Sequence, residues 1–530
     1  MKHMYMIGRI KGATSAAKIS KSFVSRKVSG FLFALGAVSM LSGAVTTSLL
    51  AQDQTSQPPF RPISLMDAFA AALTNNLDLR IERLNPLIEL ENINIDYAAY
   101  DPTFSFSPQY TYRKTGGGLL ENSVQLPSTK TDTDSFGAGF RGLTPWGMSY
   151  NLSGQVSDAQ GTQGGKKFDN ANGSMGLSVT QPLLRNLLID QYRYNILVNK
   201  NVYKVSEQRL QQQLINVLTA VEQAYYDLVF ARENVKVQQK GLELAQRLFQ
   251  ENRRRVEIGK LAPLDEKQAE SQVAARQTDL ILAQRTYGTS QNNLKRLLTA
   301  NYTDVHNIIL EPTDALLAMP YYIDLQESWN KGMAMRPDLI AGRLDLERQG
   351  ITLRYLKNQM LPQLDLTGSY GYGSSGVREF SDVFNGLRRA DQPSYGVGAA
   401  FSIPLENKAA RSAYQRGKLG NDQLLLTQKR LEENALVNID EAAGQVRSTF
   451  NQVESSKQAR IYAEAALDAE QKKLEAGKST SFVVLQLQRD LTAARSEEIR
   501  ALAEYNKAQA SLAQQEGATL QRAKINVTYK

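Results

Sequence analysis

Between Leu210 and Val256, apolar or small residues recur in alternating steps of four and three. The row begins Leu210, Leu214, Val217, Val221, Ala224, Leu228, Ala231 and Val235. It continues through Leu242, Ala245 and Phe249, with Gln238 and Asn252 as polar members. A period of 3.5 held for more than six heptads requires helices wound on one another. About 70 helical residues at roughly 1.5 Å each make a rod on the order of 100 Å, far longer than an ordinary globular helix. The run stops at "RVEIGKLAPLDEKQAE" (255–270), and a return helix over about 262–300 carries Val273, Leu280, Tyr287 and Leu294 at sevens.

The same stop occurs again. "KLEAGKSTSFVVLQLQ" (473–488) sets Gly477-Lys478 against Gly259-Lys260, 218 positions apart. The match is part of a collinear duplication, of the kind sought before any other pattern. "LDLRIERL" (77–84) aligns with "PDLIAGRL" (337–344), and "DPTFSFSPQYTY" (101–112) with "LPQLDLTGSYGY" (361–372), at an offset of 260. "GLSVTQPL" (176–183) aligns with "GAAFSIPL" (398–405), and a second return helix is expected from about 480 to 523.

Inside each copy the period changes from 3.5 to 2. Phe104, Phe106, Tyr110 and Tyr112 share one parity, as do Leu364, Leu366, Tyr370 and Tyr372. Met175, Leu177 and Val179 repeat the pattern, as do Tyr395, Val397, Phe401 and Ile403. These are strands with one aromatic-rich face and one face of Ser, Thr, Gly and Gln. The first copy is longer, with 80 positions from Pro102 to Pro182 against 42 from Pro362 to Pro404. Its extra material (134–157) reads as a hairpin about Thr144-Pro145, either an external loop or additional wall strands.

Residues 1–51 hold seven Lys and Arg and no Asp or Glu, and they end in "FLFALGAVSMLSGAVTTSLLA". This reads as a secretory signal with Ala51 at the cleavage site, although Leu49 is not the usual small residue. Without it the net charge of +9 falls to 55 basic against 53 acidic residues, which removes the main argument for nucleic-acid binding. The chain has no cysteine and two histidines, His3 and His306, so thiolate and imidazole centres are excluded as a basis for function. "AGKST" (476–480) fails as a phosphate loop, because Lys472 stands where the first glycine belongs and a helix precedes it. An exported chain with aromatic strands and no later apolar run of spanning length suits an outer-membrane barrel. The polar coiled helices belong in water.

In order, duplication and spacing, this pattern resembles the TolC-like outer-membrane efflux proteins over about residues 63–523. The residues that carry the resemblance are "SLMDAFAAALTNNLDL", "YDPTFSFSPQYTY", "VTQPLLRN" and the two glycine turns. The resemblance implies an α+β membrane protein in the outer membrane, with a long periplasmic extension. The duplicated helix–strand–helix unit forms, as a homotrimer, a transmembrane β-barrel continued by an α-helical coiled-coil tunnel. Four strands per chain and a twelve-stranded barrel are usual. The tunnel is a passive conduit for a tripartite efflux or type I secretion system. Its partners are outer-membrane lipid, a periplasmic adaptor (membrane fusion) protein and an inner-membrane pump or ABC transporter. No catalytic residue, cofactor, metal or nucleic acid is implied. The adaptor-docking tip turns correspond to Val256, Gly259, Lys260 and Leu261, then Leu474, Gly477, Lys478 and Ser479, beside Arg253, Arg254, Arg255, Lys472 and Lys473.

Two departures stand out. The family's aspartate pair at the periplasmic entrance constriction falls here on Val483 and Gln486, while Asp265 holds the matching place in the first copy. The long first strand region also departs from the four-strand pattern. The expected organisation is a signal peptide (1–51), an N-terminal leader (52–62), a first repeat (63–300), a linker (301–322), a second repeat (323–523) and a C-terminal tail (524–530). The first repeat divides into helices 63–101, strands 102–181 and a helical hairpin 182–300, and the second into helices 323–361, strands 362–404 and a hairpin 405–523. A periplasmic coiled-coil adaptor or structural envelope protein without a barrel is the alternative, but it has no need of two copies of aromatic strands.

Overall fold

A computed structural model describes residues 60–117 and 127–525. The expected signal peptide lies outside the described residues, as do most of the leader and most of the tail. The first repeat runs β1 (Phe60–Ile63), α1 (Leu65–Asn75), α2 (Leu77–Glu82), α3 (Leu84–Tyr97), β2 (Thr103–Thr115), β3 (Thr129–Leu143), β4 (Ser149–Gln163), β5 (Lys166–Pro182), α4 (Gln191–Glu257) and α5 (Pro263–Leu298). After β6 (Ile309–Pro312) the second runs α6 (Leu325–Met335), α7 (Pro337–Gln359), β7 (Gln363–Val377), α8 (Phe380–Arg389), β8 (Gln392–Ser402), α9 (Lys408–Glu475), α10 (Ser481–Gln515) and α11 (Thr519–Arg522).

The duplication reaches single hydrogen bonds. Ser64 and Asp67 cap α1 reciprocally, and Asp324, 260 positions later, caps α6 by accepting from Gln326 and Glu327 N–H. Arg83 Nη2 donates to the Leu73 carbonyl at 2.9 Å, and Arg343 Nη2 donates to the Met333 carbonyl at 2.7 Å.

The heptad rows become the seams of two helical hairpins. α4 and α9, of 67 and 68 residues, are each on the order of 100 Å long. Of the expected α4 row, Leu210, Leu214, Val217, Val221, Leu228, Ala231, Leu242 and Ala245 are buried. Leu214, Leu218 and Tyr225 share a core with Ala68, Phe69 and Leu79 of the entry helices. Ile439, Val446 and Val453 of α9 pack on Ala501, Tyr505 and Leu512 of α10. A third cluster joins both hairpins near their ends, through Leu248, Ala269, Leu467, Leu474, Val484 and Leu485. Each fully buried Leu contributes about 1.5–3 kcal/mol.

Along the rest of its length the seam between the repeats, α4 against α10, carries polar contacts. Ser481 Oγ donates to Asn252 Oδ1 at 3.0 Å, and Ser496 Oγ to Asn234 Oδ1 at 2.9 Å. Lys507 Nζ donates to Asp227 at 2.9 Å, and Gln514 Nε2 to Asn216 at 3.0 Å. These four contacts run as antiparallel rungs along the two helices.

The strands make one antiparallel sheet in the order β2-β3-β4-β5-β7-β8. Its register lines up Phe104, Phe140, Leu152, Leu177, Tyr370 and Tyr395, one from each strand, in a continuous row. Phe104, Leu152, Leu177 and Tyr370 are 69, 39, 44 and 54% exposed, so the aromatic face is uncovered along this row. The opposite face is mainly Ser, Thr, Gly, Asn and Gln. Among the described residues no helix is long and apolar enough to cross a membrane.

Two local expectations give way, and the linker gains an element. The second strand region contains α8, which lays Val383 and Gly386 on the aromatic face of the sheet. Gly173 makes room for it, since a Cβ there would lie 2.3 Å from Val383 Cγ1. The return helix expected to reach about 523 stops at Gln515, where Gly517 takes φ +71° and ends it. The linker contains β6, which pairs in parallel with β1, and Tyr225 Oη donates to the Ile63 carbonyl beside that pairing.

Candidate functional site at the helical tips

Glycine sets the geometry of both tips. Gly259 and Gly477 each adopt φ +73°, a left-handed conformation that any Cβ would strain. Gly259 N–H donates to the Val256 carbonyl at 2.9 Å and Lys260 N–H to that of Arg255 at 2.8 Å. Gly477 N–H donates to the Leu474 carbonyl at 3.1 Å and Lys478 N–H to that of Lys473 at 2.8 Å. The two turns are therefore superimposable devices that consume the last carbonyls of their helices. Pro263 then opens α5, where its missing N–H is harmless.

The tip residues singled out from sequence divide by exposure. Gly259, Lys260, Gly477 and Lys478 are exposed, and Val256, Leu261 and Ser479 are half-buried. Leu474 is buried in the cluster that joins the hairpins, so it supports its turn from beneath and presents no docking surface. Among the basic residues, Arg253 pairs with Glu257 and Lys472 with Asp468 on their own helices, while Arg255 pairs with Glu251. Ser479 Oγ and Lys473 Nζ both donate to Glu470, which holds its carboxyl below the ordinary glutamate range.

The three residues assigned to the entrance constriction take different roles. Asp265 Oδ2 accepts from Ala262 N–H at 3.3 Å, so this carboxylate is engaged in starting α5. Val483 and Gln486 are exposed on the first turns of α10. Gln486 lines a groove of about 400 Å³ between α5 and α10, with Leu264, Lys267, Phe482, Leu485 and Arg489. The groove brings apolar, amide and cationic groups together.

One tip residue was legible only as a polar member of the heptad row. Asn252 is fully buried, and its side chain links Ser481 of α10 to the first turn of α5. A lone Asn in an apolar row is the signal that identifies such a contact.

The model of the outer membrane efflux proteins matches residues 147–300 and 330–518. The chain belongs to this family. The efflux protein is 24% identical over 295 residues to the pyoverdine export outer membrane protein OpmQ of Pseudomonas putida, a match covering 55% of this chain and 60% of that one. It is 25% identical over 284 residues to the cobalt-zinc-cadmium resistance protein CzcC of Cupriavidus metallidurans, covering 53% and 62%. The chain thus spans about 60% of the length of the curated relatives it matches. Its fold is that of the Campylobacter jejuni CmeC outer membrane channel, with a TM-score of 0.62 at 17% identity over 86% of each chain. The Vibrio cholerae outer membrane protein VceC gives 0.63 at 14% identity over 86% of this chain and 96% of its own. The family is that of the outer membrane efflux proteins, which places the protein in the outer membrane.

Proposed function

We propose that the protein is the outer-membrane channel component of a tripartite efflux or type I secretion system, acting as a passive conduit across periplasm and outer membrane. One observation carries this reading. A sheet with an exposed apolar belt continues, in the same chain, into two helical hairpins on the order of 100 Å long that end side by side in twin glycine turns.

A single chain leaves edges open at every level. β2 and β8 are the unpaired edges of the sheet, and lipid offers nothing to satisfy them. Above, α3 packs on α4, α4 on α7 and α7 on α9, so α3 and α9 flank the layer. Below, α5 and α9 flank the paired hairpins. Ile81, Leu84, Ile88 and Ile95 stand exposed at helical spacing along α2 and α3, as do Leu419 and Leu426 on α9. Head-to-tail joining of these flanks closes a ring, and the family resemblance sets it at three copies.

The exposed backbone and lysines of the tip turns dock a periplasmic adaptor, which connects the tunnel to an inner-membrane pump or ABC transporter. The mouth closes by apolar and amide contacts at Val483 and Gln486 in place of an acidic ring, which leaves weak cation preference. Two experiments test the reading. Purification in mild detergent should yield three chains together with adaptor and pump, and release from membranes by salt or alkali alone sinks the barrel. In planar bilayers the wild type should be weakly selective and Val483→Asp/Gln486→Asp more cation-selective. Strong wild-type selectivity mapping to those two positions contradicts the proposed mouth.

A further inference from the structure

We propose that this chain builds an exit of eighteen strands, six from each of three chains, wider than the twelve-stranded barrel usual for its family. The inference rests on the trimeric reading above. The added strands are β3 and β4, and four features make them wall rather than loop.

First, they pair along their whole length between β2 and β5, so no strand passes beside them. Second, the apolar belt crosses them: Phe140 and Leu152 lie between Phe104 and Leu177 in one row, Ala138 and Gly154 lie between Phe106 and Met175 in the next, and Phe136 and Val156 lie between Pro108 and Gly173 in a third, where α8 packs over them. A hairpin projecting into water has no use for a lipid face in phase with its neighbours. Third, the belt is bounded. Asp134 and Asp158 replace the apolar residues one row beyond Phe136 and Val156, and Trp146 stands 58% exposed at the opposite turn. Trp146 to Val156 is the length that a membrane strand needs, about 9–11 residues, with the aromatic where the interface lies. Fourth, the turn is built into the helical part. Gly147, at φ +89°, lies against Arg193, Asp190 and the Asn186 carbonyl at the start of α4, where a Cβ would meet Arg193 Nη2 at 2.6 Å.

Barrel diameter grows roughly in proportion to strand number, so the exit is about one and a half times as wide as a twelve-stranded one. Four helices per chain (α3, α4, α7 and α9) still carry the tunnel beneath it. The channel therefore flares outward. On the opposite face of the six strands the charged residues are Arg113, Arg141, Lys166 and Asp365, among Ser, Thr, Gly, Asn and Gln. Such a lumen suits bulky hydrated cargo, its three basic residues against one acidic residue per chain favouring anionic groups, and further discrimination falls to the helical mouth.

Adjacent residues on β4 provide the test. Leu152→Arg faces lipid only if the hairpin is wall, Ser153→Arg faces the lumen, and Leu177→Arg on β5 faces lipid in a barrel of either size. Assembled protein recovered from outer membranes should fall at least tenfold for Leu152→Arg and Leu177→Arg, and less than twofold for Ser153→Arg. Loss with Leu177→Arg alone overturns the inference and leaves the barrel standing, whereas tolerance of Leu177→Arg removes the barrel itself. Electron microscopy of the wild-type complex gives an independent count: eighteen strands are expected, and twelve strands with 129–163 folded aside refute it.

Discussion

Single residues set the tips and one buried charge. At Gly259 and Gly477 no atom lies within 4 Å of where a Cβ would be, so alanine meets no clash and pays only for its positive φ. Each Gly→Ala change should lower stability by about 1 kcal/mol, and hydrogen exchange should show faster opening confined to that turn. Glu222 is buried beside Arg522, and burial raises its carboxyl above the ordinary glutamate range despite that partner. A raised folded value means that the native state holds the proton more tightly than the unfolded chain does. The stability linked to it is present below the ordinary glutamate range and lost as pH rises through the folded value. Glu222→Gln should remove that part of the pH dependence, read as a melting temperature that falls less than the wild type's as pH rises above the ordinary glutamate range. The turns themselves were legible in the sequence, because Gly followed by Lys after a heptad run is a helix end. The Glu222–Arg522 contact was not, since it joins residues 300 positions apart whose charges look ordinary in isolation.

At the scale of elements, period decided what could be read. The 3.5 and 2 repeats lead directly to α4, α9 and the strands, because a seam or a face must stay in phase along its whole length. α8 carried a helical signal, Phe380, Val383, Phe384 and Leu387 at i, i+3, i+4 and i+7, which the period-2 reading of the strands on either side passed over. The extent of 129–163 was open for a related reason. Both a loop hairpin and a wall hairpin alternate, and only the register against Phe104 and Leu177 separates them. Between helices, the polar rungs from α4 to α10 contrast with the Leu and Ala seams inside each hairpin. Asn252→Ala leaves the buried Ser481 hydroxyl without its acceptor, which costs about 1–3 kcal/mol. Differential melting of full-length protein, with exchange rising at both tips together, checks it. A rise at the α4 tip alone would show that the rung does not couple the repeats.

At the scale of the whole molecule, the open edges make assembly the main determinant of stability. Leu419→Glu with Leu426→Glu places charge on the α9 flank without touching any hairpin core, since both side chains are more than half exposed. The variant should keep the helical content of the monomer while losing the trimer by at least tenfold in light scattering. An unchanged trimer would mean that α9 is not a subunit flank. The sequence shows such edges only indirectly. Ile81, Leu84, Ile88 and Ile95 read there as one more helix face, and they become a flank once α4 is seen to occupy the opposite side.

The line of polar rungs gives this wall a grain. Parting α4 from α10 exchanges protein hydrogen bonds for hydrogen bonds to water, at a net cost of about 0.5–1.5 kcal/mol per rung. Splitting either hairpin lengthwise bares leucines at about 1.5–3 kcal/mol each. Away from the apolar cluster that joins the hairpins near their tips, the joint between the repeats opens before either hairpin splits, so each hairpin moves as a stave and the joint between staves is wetted rather than torn.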